Sequence, residues 1–93
     1  MIVKFFEVGR QKASWEAETE YLCYDWLYKQ VKRHLLSSDI EFIVDNDGVS
    51  GHIDAGFRTV GRFVLSEPII ANVTDAYGVI DAYCGTSAIG GRG

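Results

Sequence analysis

Three groups of side chains in this sequence have types that could do chemistry. Ser50, His52 and Asp54 are the residue types of a hydrolytic triad: a nucleophile, a base and an orienting acid. They alternate along one extended run, where Cα atoms two residues apart lie about 6.6 Å apart with side chains roughly parallel. No Gly-x-Ser-x-Gly elbow accompanies them to supply oxyanion donors. The spacing therefore predicts a solvated strand face on which Asp54 tunes His52 without activating a nucleophile. Cys23, His34, His52 and Cys84 are soft-metal ligands by type, yet none stands in the close pairs that deliver two ligands from one turn, so no metal site is expected. Asp45-Asn46-Asp47-Gly48 carries part of a calcium loop, but Ile43 occupies the place of the first carboxylate, and a tight hairpin turn accounts for the same residues. With no phosphate loop or nucleotide fingerprint either, the expectation is no catalytic set, no metal and no cofactor.

The elements that would position these groups follow from periodicity. Ile40 to Asp45 and Val49 to Phe57 alternate apolar and polar residues around Asn46-Asp47-Gly48, which predicts an antiparallel hairpin, extended by a third strand through Thr59 to Leu65. Met1 to Val8 reads as a strand in which adjacent Phe5 and Phe6 require burial on both faces or a bulge. Lys12 to Glu20 alternates as a second strand with an acidic outer face. From Tyr21 the period changes, and Tyr24, Leu27, Tyr28, Val31, His34 and Leu35 share one side of a helix ending near Ser37 or Ser38. Ser66-Glu67-Pro68 and Gly85 bracket a predicted second helix over 69–84, with a strand pair as the competing reading because Ile, Val and Thr are frequent and Gly78 interrupts.

The resulting order, β-β-α-β-β-(β)-α, predicts an α+β domain over 1–85: a mostly antiparallel sheet of four to five strands with two helices packed on one face, followed by a flexible Gly-rich tail over 86–93. At 93 residues, 47% apolar and 24% charged, the chain is expected to form one folded unit. No apolar run approaches the roughly 20 residues of a membrane span. No secretory signal is legible, so the expected setting is cytoplasmic; Cys23 and Cys84 could pair, but two cysteines are too few for a disulfide framework, and two buried thiols are the favoured reading.

The net charge of −4 opposes general binding to nucleic-acid phosphates, although the helix with Lys29, Lys32 and Arg33 could contact them locally. Trp26 falls on the polar side of that helix, and Trp with Arg is the usual anchor of a protein interface. The sequence thus points to a small non-catalytic binding module that works through protein-protein contact. Its expected contact residues are Trp26, Lys29, Lys32 and Arg33, together with Glu16, Glu18, Glu41 and Asp45. Those carboxylates could compete with phosphate for a basic channel, as phage or mobile-element accessory proteins do when they inhibit nucleic-acid-handling complexes. The alternative is a small-molecule-binding domain or enzyme subunit with His52 and Asp54 beside Tyr21, Tyr24 or Tyr77. A homodimer through an edge strand, with Met1 to Val8 as the candidate, or through the exposed helix face is compatible with either reading.

Overall fold

The computed structural model describes residues 1–69 and 73–83. Five strands and one helix follow in the order β1 (Ile2–Val8), β2 (Ala13–Glu18), α1 (Tyr24–Lys32), β3 (Ile40–Val44), β4 (Ser50–Ala55) and β5 (Arg58–Leu65). The strands form a single antiparallel sheet in spatial order β2-β1-β5-β4-β3. Helix α1 crosses one face of that sheet, because it links the two strands at opposite margins.

The alternation of the sequence decides which side chains meet the helix. Val3, Phe5, Phe42, Ile53 and Phe63 are fully or almost fully buried beneath Leu27 and Val31 of α1, while Lys4, Glu41, His52 and Arg62 point away. Phe42 and Phe63 meet edge to face, and Tyr24 stands edge-on to Phe42 with its hydroxyl donating to the Ile40 carbonyl at 2.6 Å. Burial pushes the Tyr24 hydroxyl's pKa above its ordinary value, with neighbouring Tyr83 adding to the effect.

Phe5 and Phe6 take opposite faces, Phe5 in the core and Phe6 half-buried beneath Arg62, and a bulge follows them. Phe5 pairs with Trp15 and Val8 with Ala13, so β1 spends one residue more than β2 over that interval, and Glu7 takes a φ of 54°. The extra residue turns Val8 inward, where it is fully buried.

Four expectations need correction. First, residues 73–83 do not form the predicted second helix: Thr74 bridges Ile80, Val79 bridges Ile43 of β3, and Val44 N–H donates to the Gly78 carbonyl at 2.8 Å. The β-branched residues favour this extended pairing. Gly78 takes a φ of +84° with its Cα so close to β3 that an added Cβ would stand 2.5 Å from the Val44 carbonyl oxygen. Ile69 is the only described residue of the predicted helix before 73; 70–72 and the tail over 86–93 lie outside the described residues.

Second, α1 ends at Lys32, not near Ser37 or Ser38. His34 N–H donates to Val31 and Leu35 N–H to Lys32, tightening the last turn, while Lys32 Nζ donates to the Leu35 carbonyl. Third, Met1 to Val8 is not a sheet edge, since β1 lies between β2 and β5. The outer side of β3 carries the segment at 78–80, whereas β2 has no further strand beside it among the described residues. Fourth, Cys23, just before α1, is disulfide-bonded and not a free thiol; the sequence holds one other cysteine, Cys84, which is outside the described residues. No helix among the described residues is long and apolar enough to cross a membrane.

Candidate functional site

The β1–β2 turn, the end of α1 and the start of β5 meet at one end of the sheet, and between them lies an open groove of about 850 Å³. Its floor is Val8, Gly9, Leu35, Val60 and Gly61. Two glycines bring the walls together. An added Cβ on Gly9 would stand 2.3 Å from the His34 carbonyl oxygen, and Gly9 N–H donates to Val60 at 2.9 Å, so the turn is seated directly on the end of the helix. At Gly61 an added Cβ would stand 2.9 Å from Val8. Glu7 and Lys12, at either side of the turn, both hold positive φ without being glycine, at 54° and 51°. Backbone held in that region is characteristically over-determined by its surroundings and concentrates where chains make functional contacts.

The rim is strongly basic. Arg10, Lys12, Arg33, Arg58 and Arg62 line the groove, five of the nine Lys and Arg in the chain, against a single carboxylate, Glu7. This is a local surplus of four positive charges; with the whole chain at −4, the rest of the molecule carries −8. Arg62 is occupied: it lies 3.6 Å from Glu7 and 5.7 Å over the Phe6 ring. Arg10, Lys12, Arg33 and Arg58 are exposed and make no ion pair among the described residues. His34 joins the wall, its ring held 4.6 Å from that of Trp15, which stacks in turn on Phe5 and donates from Nε1 to Gln30. Two apolar side chains stand out from the same region: Leu36 at 89% exposure in the wall, and Phe57 at 106% at the tip of the β4–β5 turn, between the groove-lining Ala55 and Arg58.

Of the contact residues expected from the sequence, only Arg33 lines this groove. Lys29 is exposed on the helix, and Lys32 is half-buried and spent on the Leu35 carbonyl. Trp26 is not the free surface ring its place on the helix suggested. It is half-buried and packed against the core, 6.3 Å from Phe5, because the β1–β2 hairpin rises beside that flank of α1. Glu16 and Glu18 lie on β2, with Glu16 opposite Lys4, while Glu41 and Asp45 lie on or beside β3 at the other margin. Four inter-strand steps separate the two pairs, about 19 Å at ordinary strand spacing. They do not make one patch.

The residue types of a hydrolytic triad also part company. The Ser50 hydroxyl donates to Asp47 Oδ2 at 2.8 Å, and Asp54 Oδ1 accepts from the Thr59 hydroxyl at 2.9 Å. His52 stands 3.8 Å from both Asp45 and Asp54, too far for a hydrogen bond to either. His52 and Asp54 lie on the face of the sheet away from α1, whereas Tyr24, the first residue of α1, packs on the opposite face against Phe42; Tyr21 and Tyr77 are largely exposed. Asp47 organises the β3–β4 turn, accepting from the N–H groups of Val49 and Ser50 as well as the Ser50 hydroxyl, and these bonds hold its carboxyl below the ordinary pKa. Among the described residues no three His, Cys, Asp or Glu side chains gather to hold a metal ion.

Sequence reasoning did not find the groove because its cations come from three separated segments, near 10–12, at 33 and at 58–62. A partial signal was available in the Phe57-Arg58 pair following Gly56, where an exposed turn would bring an aromatic ring beside a cation. Comparison with protein-family models, with curated proteins and with solved structures finds no match to this chain.

Proposed function

We propose that this protein is a non-catalytic binding module that acts by surface contact, and that the basic groove at the end of the sheet is its contact site for an anionic partner. The observation that carries this reading is the concentration of unneutralised cations at Arg10, Lys12, Arg33 and Arg58 on a chain that is otherwise acidic. Like charges held together repel one another, and nothing in the fold requires these four, since they are exposed and bear no internal ion pair among the described residues. An anion entering the groove would relieve that repulsion, and the surrounding negative surface would direct it there and nowhere else.

The test is retention on a heparin column under a salt gradient. Wild type should be retained at low salt in spite of its net charge, and the double variant Arg10→Glu, Arg58→Glu should pass through. Reversing two positive charges at Lys4 and Lys29, outside the groove, is the matched control and should leave clear retention. Passage of wild type through the column, or equal loss in both variants, would refute a localised anion site.

A further inference from the structure

We infer that the anion this groove takes is a single-stranded nucleic acid, with phosphates on Arg10, Lys12, Arg33 and Arg58 and a base stacked on Phe57; the inference rests on the reading of the groove as an anion site. Phe57 is the deciding residue. Its side chain is wholly exposed at the tip of the β4–β5 turn, where it contributes nothing to the core. Gly56 beside it has a φ of +65° with nothing within 4 Å of an added Cβ, so the turn projects into open space. An exposed aromatic ring adjoining a groove whose cations make no ion pair among the described residues is the combination that single-strand binders use: a positive groove follows the backbone, and rings receive the faces of unstacked bases.

Other polyanions use only part of this surface. An acidic peptide would satisfy the cations but offer Phe57 no flat partner. A duplex carries its phosphates outside and its base faces inside, so the ring would find none to stack on. A rigid duplex would also extend over the acidic remainder of the molecule, at −8, while a flexible strand can confine its contacts to the groove. Leu36, exposed at 89% in the groove wall, gives a second apolar contact for a sugar or base.

Fluorescence anisotropy with a labelled oligothymidylate of about a dozen nucleotides, within the range one small domain covers, tests the inference against a duplex of equal length and an oligoglutamate. The single strand should bind tightest, with a slope of log affinity against log salt near −3, as about four phosphate contacts require. Phe57→Ala should weaken that binding by about tenfold, the loss of one stacked base, while leaving heparin retention unchanged. Arg58→Glu should weaken both.

No binding of the single strand by a protein that heparin still retains would overturn the nucleic-acid assignment and leave the anion groove standing. Equal or tighter binding of the duplex or of oligoglutamate, or an unaffected Phe57→Ala variant, would do the same. Loss of heparin retention by the wild type would remove the groove reading itself.

Discussion

Replacing Gly9 with Ala should damage this protein twice over, and the structure supplies a control that separates the two effects. Gly9 has a φ of +76°, which costs an L-residue roughly 1–2 kcal/mol. Its added Cβ would also stand 2.3 Å from the His34 carbonyl oxygen, a contact that must open by about 1 Å before it becomes ordinary. Because the obstacle is backbone, relief requires the β1–β2 turn to lift off the end of α1, with strain of about 1–3 kcal/mol. The sum is about 2–5 kcal/mol, or a fall in Tm of roughly 10–25 °C for a domain of this size. Gly56 has a comparable φ of +65° but open space around it, so Gly56→Ala should show the conformational cost alone. Urea denaturation of both variants measures the difference. Equal destabilisation of the two, within about 0.3 kcal/mol, would show that the turn is not seated on the helix and that the groove's walls are not fixed there. Lifting the turn should also separate Arg10 from Arg33, so heparin retention of Gly9→Ala should weaken where that of Gly56→Ala does not.

Two further outcomes test other parts of the structure. Bonds accepted from Ser50 and Val49 hold the Asp47 carboxyl below its ordinary pKa, so its ionised form stabilises the fold at neutral pH and the contribution fades as pH falls through the lowered folded-state value. Asp47→Asn should therefore be less stable than wild type at neutral pH, with the gap narrowing in acid; a gap independent of pH between neutrality and pH 3 would contradict the assignment. Trp26→Ala should cost about 2 kcal/mol in urea denaturation, because a half-buried ring leaves the core; a change below about 0.5 kcal/mol would return it to the surface.

Much of the sheet was legible because period-two alternation reports directly on a sheet covered on one face. Ile40, Phe42, Val44 and Ile53 are buried as that pattern demands, whereas Phe57, on the apolar side of the same alternation, falls in the turn after β4 and is exposed. The segment after Pro68 is ambiguous in sequence because Val73, Ala76, Tyr77 and Ile80 fit a three- and four-residue helical spacing as readily as a pair of short extended stretches. The strand order decides between them, since the uncovered side of β3 needs a partner for its backbone groups and 78–80 supplies it. The environment of Trp26 is illegible for a related reason. A helical wheel places it away from Leu27 and Val31 but cannot show that β2 rises beside the helix on that flank. The groove was the least legible feature of all, because Arg10, Arg33 and Arg58 become neighbours only once strand order and the closeness of Gly9 to His34 are known.

The antiparallel pairing of β1 with β5 sets Val3 opposite Leu65, uniting strands far apart in the sequence. Until the ribosome has released residues near 65, an emerging chain can build only two local fragments, the N-terminal hairpin and the later meander, each with one apolar face open to water or to a chaperone. Joining them closes a loop of about 60 residues, an entropic cost that makes the seam a late, comparatively slow event. A polypeptide stalled or truncated before β5 would therefore be left with no way to complete its sheet, and would be prone to pair its bare strands with those of another nascent copy.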